Sequence, residues 1–344
     1  MTQVAPRTPP PEPASAGQGR AATWGRPLPR FPVALQPPDL APWRAGNTGT
    51  EGVWSFASGQ AGPHVVVSAL VHGNEIAGAI TLSGLLQAGL RPLCGRLTFV
   101  LANLAAFETF SAADPIAARS LDEDMNRLWC RERLDGQHST AELRRARELR
   151  PVLDTADILL DLHSMLWEGG PLLLCGAPEK ARRLALALGA PGLVVADEGH
   201  VNGRRLIDYR PFADPGSKRT ALLLEAGYHW HPETVVTMQD AVGRLLRMAG
   251  LIDAATQAAI CPTPPPPEPV RLAQVTRTVT ATTNSFAFTR PFASGEVIAE
   301  RNTLIALDGE AEIRTPHDHC LMVMPALATQ KGLTAVRLAK FVEA

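Results

Sequence analysis

Cysteine pairs are missing from this sequence. Its five cysteines (Cys94, Cys130, Cys175, Cys261 and Cys320) are odd in number, scattered, and nowhere spaced C-x-x-C. That argues against a disulfide framework and against a thiolate zinc site, so any metal must be held by histidine and carboxylate. A dominant charge is missing too: 33 Lys and Arg against 34 Asp and Glu give a formal net charge of -1. Such a balance leaves no electrostatic footprint for a phosphate backbone, and no nucleic-acid partner is expected. Apolar runs such as 65–71 and 158–160 stop well before the ~20 residues a membrane-spanning helix requires, so no membrane crossing is expected. The first residues, MTQVAPRTPPPEPASAGQGR, have neither a basic start followed by an apolar stretch nor a small-residue cleavage site, which reads as a cytoplasmic protein.

What is present organises the chain. With 344 residues and 45% hydrophobic content it can bury one large core and carry a smaller second domain. Residues 1–30 are poor in aromatics and rich in Pro and Ala, a composition that buries little and predicts a disordered leader. Residues 261–270, CPTPPPPEPV, hold six prolines in ten and predict an extended, semi-rigid linker.

Between these breaks, over 31–260, short apolar runs alternate with helical patterns. This predicts an α/β domain with a mixed, largely parallel sheet and helices on both faces. The expected strands are His64–Leu70, Leu97–Asn103, Ile158–Leu162, Pro171–Cys175, Leu193–Ala196 and Ala221–Leu224, several of them apolar on both faces. The expected helices are Glu75–Ala88, Ala141–Leu153, Glu179–Leu188 and Pro232–Ala249. Over 271–344 the pattern changes to short Thr/Val/Phe alternations separated by turns, which predicts a small C-terminal all-β domain.

Three of the expected strands end in chemically capable residues, at the edge where α/β proteins place ligand sites. The first runs into VHGNEIAG, where His72 and Glu75 can converge on one ion and Gly73 lets the backbone bend. Taken alone, such a pair could equally cap the following helix, where a Glu is favoured by the dipole. The second ends in ILLDLHSM. It delivers Asp161, His163 and Ser164, with Asp161 and His163 on one face of the strand and Asp161 suited to supporting the imidazole. A lone histidine there could be a satisfied core residue, but two strand ends presenting His and Glu together favour a metal site.

The third, TALLLEAGYHW, places Glu225 after four apolar residues, where burial would raise its pKa toward that of a general base or acid. A salt bridge to Arg119 or Arg127 is the alternative. The intervening RSLDEDMNRLW carries Arg119, Asp122, Asp124, Asn126 and Arg127, suited to binding a carboxylate and polarising a carbonyl; without context it is a solvated charge run. His229, His231, His317 and His319 are read as surface or capping positions.

The order H-x-x-E, R-x-x-D-x-D-x-N-R, D-L-H and E-x-G, over roughly residues 60–250, resembles the succinylglutamate desuccinylase and aspartoacylase family, related to the zinc carboxypeptidases. The small C-terminal β-domain fits that resemblance, which implies one zinc per chain, held by His72, Glu75 and His163 with a position open for water. It further implies that Glu225 takes the water proton and passes it to the leaving amine, while Arg119 stabilises the oxyanion. Asn126 and Arg127 would hold the substrate carboxylate, with Ser164 beside them, and the C-terminal domain would partly cover the pocket.

The expected activity is hydrolysis of the amide bond of a small N-acyl amino acid, making the partner a small molecule and leaving homo-oligomerisation open. A metallocarboxypeptidase acting on peptides and a non-catalytic zinc- or ligand-binding relative are the alternatives. Ser164, Met165, Leu166 and Trp167 are apolar for a pocket reading a second carboxylate, which suggests an apolar or aromatic acyl or amine portion. Further anchors could come from Arg204, Arg205, Tyr209, Arg210, Lys218 or Arg219, among which spacing does not choose.

Overall fold

The computed structural model describes residues 29–167, 169–200 and 202–343, so the leader expected at 1–30 lies outside the described residues except at its last two positions. The chain contributes the strands β1 (Val53–Ala57), β2 (His64–Ala69), β3 (Arg96–Leu101), β4 (Ile158–Met165), β5 (Leu172–Leu174), β6 (Leu193–Ala196) and β7 (Thr220–Tyr228) before the proline segment. After it come β8 (Arg271–Thr280), β9 (Phe286–Phe288), β10 (Val297–Ile298), β11 (Leu304–Asp308), β12 (Ala311–Arg314), β13 (Cys320–Val323) and β14 (Thr334–Val342). The longer helices are α1 (Ile76–Gln87), α2 (Ala141–Leu153), α3 (Glu179–Leu188), α4 (Pro232–Met248) and α5 (Ala254–Ile260).

Eleven strands form one mixed sheet in the order β1-β3-β2-β4-β7-β5-β6-β8-β14-β13-β10, and β12-β11-β9 form a separate antiparallel sheet in the C-terminal region. The neighbours β3, β2, β4 and β7 run parallel, whereas β5 is antiparallel to β7. The strands of 271–343 are not confined to the small sheet, because β8 pairs in parallel with β6 and carries β14, β13 and β10 onto the large one.

Two cores explain why the central strands read as apolar on both faces. Along β2, Val65, Val67 and Ala69 enter one core while Val66 enters the other, as the two-residue period of a strand requires. The first core is closed by α1, α3 and α4. The second is closed by α2, whose Leu143, Ala146, Leu149 and Leu153 recur at helical spacing on one face. Thr140 starts α2 by accepting a hydrogen bond from Leu143 N at 3.1 Å. Each fully buried Val or Leu contributes roughly 1.5–3 kcal/mol, so a polar replacement in β2 would destabilise both layers.

The expected α/β architecture with a small C-terminal all-β part is what the chain adopts. The expected helices and strands fall within a few residues of the observed ones; β4 and β7 run longer, so that His163, Ser164 and Glu225 lie inside strands rather than beyond them. Parallel pairing brings the carboxyl ends of β2, β3, β4 and β7 to one edge. Among the described residues no helix is long and apolar enough to cross a membrane.

Candidate metal centre and active site

The turn after β2 is unusually shaped. Leu70 is fully buried and has φ +61°, a left-handed conformation costly for a branched side chain. The next residues run close to their neighbours: a Cβ on Gly73 would lie 2.4 Å from Ala106 C and 2.6 Å from Ala118 O. Gly73 lies in the turn closed by Glu75 N donating to His72 O at 3.2 Å, and the close approach gives it a second reason to be glycine. Trp230, itself buried, fixes the same turn by donating from Nε1 to the Asn74 carbonyl at 2.9 Å.

This turn aims His72 and Glu75 at His163 of β4. Glu75 Oε1 lies 2.7 Å from His72 Nδ1 and Oε2 lies 3.2 Å from His163 Nδ1. The two imidazole centroids are 5.0 Å apart, and one ligand atom from each of the three residues falls within 4.8 Å of the others. All three are buried. Burial alone would raise the Glu75 pKa, but the adjacent His163 and His72 reverse it and hold the carboxyl well below its ordinary range. Ser164 N donates to Glu75 Oε2 at 3.0 Å, completing the orientation of the carboxylate.

Each histidine is also held from behind. Asp161 Oδ2 meets His163 Nε2 at 2.8 Å, and Asp124 Oδ1 meets His72 Nε2 at 2.9 Å. Both leave Nδ1 on the Glu75 side, the arrangement in which a second carboxylate fixes a metal-binding imidazole. His163 resists the effect of burial, and Asp161 with Glu75 holds its pKa well above the ordinary value.

Glu225 is the register partner of His163 across β4 and β7. It is 6% exposed, and its Oε2 is buried without a hydrogen bond. Burial pushes its pKa up to about 8, His163 opposing and Glu75 adding to the shift. No ion pair forms between Glu225 and Arg119 or Arg127 among the described residues, so the salt-bridge alternative is not realised. Arg119 instead donates from Nη2 to Asp124 Oδ2 at 2.9 Å and lies with Nη1 3.9 Å from Glu75 Oε1, its side chain 40% exposed.

Asn126 is buried and accepts from Leu206 N at 2.7 Å with its side-chain oxygen, so only its NH2 can turn toward a ligand. Arg127 donates from Nη1 to the Asn126 carbonyl at 2.7 Å and is a quarter exposed. Ser164 Oγ lies 2.7 Å from His229 Nδ1. Met165 is buried at the end of β4, and Trp167 is half-buried in the loop beyond.

Two residues of the site escaped sequence reasoning. His229 is not a surface histidine; it is 2% exposed, and burial lowers its pKa to about 4. His231, two residues on, is the half-exposed N-cap of α4. The second is Glu142, fully buried on α2. Its oxygens accept from Leu121 N (2.6 Å), Asp122 N (3.0 Å), Glu123 N (3.2 Å) and Asn103 Nδ2 (3.1 Å), pinning the loop that carries Arg119 and Asp124. Its place in the first turn of a helix is a local feature, but its partners lie 19 to 39 residues away.

In a Glu142→Ala variant, four donors lose their acceptor and the fold should lose about 3 kcal/mol. The expected readouts are a lower urea midpoint and a reduced kcat with metal content retained. Unchanged values for both would remove this role.

Residues 61–247 match the succinylglutamate desuccinylase/aspartoacylase catalytic domain. The chain belongs to that family. Its members are deacylases, and His72, Glu75 and His163, the group that could hold a metal ion, all fall within the matched segment. Among solved structures, the succinylglutamate desuccinylase of Vibrio parahaemolyticus is 19% identical, covering 85% of this chain and 87% of its own, with a TM-score of 0.59. The Vibrio cholerae succinylglutamate desuccinylase is 18% identical over 84% and 85% of the two chains, TM-score 0.61. The ectoine utilization protein EutE (DoeB) of Ruegeria pomeroyi, solved with product bound, is 16% identical over 83% and 88%, TM-score 0.60. At these identities the likeness speaks for the fold. No curated protein matches the sequence.

Proposed function

We propose that this member of the family is a zinc-dependent amidohydrolase that removes the acyl group from a small N-acyl amino acid. The observation that carries the reading is the buried Glu225, its Oε2 without a partner, set beside the histidine–glutamate–histidine group. A protein that merely bound a metal would have no use for an unpaired buried carboxyl there.

The donor set of two imidazoles and one carboxylate suits zinc and accommodates one ion, with His72, Glu75 and His163 holding it. When bound, zinc supplies Lewis acidity toward the amide carbonyl and acidifies a water molecule. The protein's own groups do the rest. Glu225 accepts the proton of the attacking water and returns it to the leaving nitrogen, and burial has moved its pKa to about 8, near the range such a shuttle needs. Arg119, held by Asp124, turns a partly exposed guanidinium to the oxygen that becomes negative. Arg127, with the NH2 of Asn126 beside it, receives the substrate carboxylate. Ser164 supports the centre through its backbone, its hydroxyl being engaged with His229.

Metal analysis of purified protein and a panel of N-acyl amino acids test this reading by release of free amine. The panel is expected to show turnover of substrates with a free carboxylate, with apolar or aromatic portions accepted near Met165 and Trp167. Strict preference for dicarboxylic acyl amino acids would sink the second expectation. Efficient trimming of oligopeptides with no activity on the panel would make the protein a carboxypeptidase.

A further inference from the structure

Strand β14 is apolar along its inner stretch except at Arg337, whose side chain is 4% exposed. A guanidinium so buried needs carboxylates around it, and the nearest, Asp197, is shared with Arg205. Asp197 gives its oxygens to Arg205, at 2.9 Å from Nη1 and 2.5 Å from Nη2. Asp208 gives both of its oxygens to Arg205 as well. Arg337 is left with Nε 3.1 Å from Asp197 Oδ2 but not aligned to hydrogen-bond, and Nε is otherwise buried without a partner. Its Nη2 meets His200 Nε2. That histidine offers a neutral acceptor and no charge, because burial together with Arg337, Arg127 and Arg205 drives its pKa far down.

The segment 200–206 shows where this half-satisfied cation sits. His200 pairs with Gly203 in a one-rung bridge. Gly203 lies so close to Arg127 that a Cβ there would be 2.2 Å from the Arg127 carbonyl oxygen. Next to it, Trp129 N donates to Arg204 O at 3.1 Å. On the other side, His200 Nδ1 is 3.3 Å from Thr334 Oγ1 of β14, and Asn202 bonds the Gly332 carbonyl. One turn thus holds Arg127 on one flank and Arg337 on the other. Arg337 is also among the charges that act on Glu225, and Arg127 among those that act on Arg337. Of the anchors that spacing left open, Arg205 is saturated by its two aspartates, and Tyr209 donates to Asp154 at 2.5 Å.

We propose that Arg337, carried to the site by the C-terminal strand, joins Arg127 in binding a carboxylate of the substrate and is the residue that sets the preference for an anionic over a neutral amide. The geometry gives a carboxylate what the protein lacks here: a charge to complete two arginines around a neutral histidine. A neutral substrate would leave Arg337 with only the aspartate it shares with Arg205, and Arg127 with only Asp124 at 3.8 Å, and a site built to pair a carboxylate rejects what cannot pair with it. This inference rests on the deacylase reading only for the identity of the ligand; the binding of a small carboxylate can be measured without turnover.

The test compares wild type, Arg337→Gln and Arg337→Lys, in each case after circular dichroism and metal content show an intact protein. Asp197 keeps its pair with Arg205 in both variants, so the fold has no buried carboxylate left alone. Thermal shift with added succinate, at constant ionic strength, reads binding directly. Wild type is expected to be stabilised, the Gln variant to lose on the order of 10- to 100-fold in affinity, and the Lys variant to recover part of it. With an N-acyl amino acid and its neutral amide as paired substrates, the Gln variant should raise KM for the acid far more than it lowers kcat, narrowing the preference. Equal succinate binding by wild type and the Gln variant, or no binding by either, overturns the proposal. So does an unchanged acid-to-amide ratio. Loss of succinate binding in the Gln variant with no N-acyl amino acid cleaved by wild type keeps the carboxylate site and rejects the deacylase reading.

Discussion

A Glu225→Gln variant should keep its metal and lose on the order of 10²- to 10⁴-fold in kcat, because the amide has the same shape and cannot carry a proton. The same substitution has a second, independent consequence. In the folded protein the Glu225 carboxyl titrates at about 8 against an ordinary value of 4.5. A carboxyl raised in this way favours folding fully below pH 4.5, and that contribution is lost as pH climbs to about 8, at about 1.4 kcal/mol per pH unit.

Metal-free wild type should therefore lose stability over that window through this group, whereas the glutamine variant should not. Near pH 7 the variant should be the more stable by about 3 kcal/mol in urea unfolding. Parallel pH dependences for the two proteins would show that Glu225 is not the buried acid described here. Full activity in the variant would remove it from the chemistry.

His163→Ala should abolish both metal binding and turnover, the larger of all the expected losses, since two donors remain of three and Asp161 is left buried without its partner. The milder Asp161→Asn change separates the two effects. It keeps the ligand and weakens the hydrogen bond that orients it, so metal affinity should fall about 10- to 100-fold, and activity should return at high metal concentration. The two measurements are metal content after dialysis and amine release over a zinc titration. Retention of one metal by His163→Ala would mean that the centre is elsewhere. An Asp161→Asn protein with wild-type affinity would deny the aspartate its orienting role.

Much of the frame was legible before any coordinates. Strands such as His64–Ala69 announce themselves because consecutive apolar residues, Val65 to Val67, fit a sheet covered on both sides. The helix Ala141–Leu153 announces itself through an apolar face at helical spacing. His72, Glu75, His163 and Glu225 could be picked out because each ends or follows such a strand, and parallel strands deliver their ends to one edge. Gly73 could be noticed for the turn it occupies but not for its close approach to Ala106 and Ala118, residues some 30 to 45 positions away.

Pairings between distant segments were not readable. Glu142 looks like any glutamate in the first turn of a helix until its four donors from 103 and 121–123 are seen. His229 looks like a residue before a helix until it meets Ser164. Arg337, in a terminal strand of a region that reads as separate, gave no signal at all.

By itself the sequence determined the layers of the fold and offered candidate residues at strand ends, because hydrophobic period is a local property. Only the tertiary structure decided which of those residues meet, which carboxyl stays unpaired and which arginine lacks a full partner. Burial and compensation of charge depend on what every other segment brings to the same few ångströms.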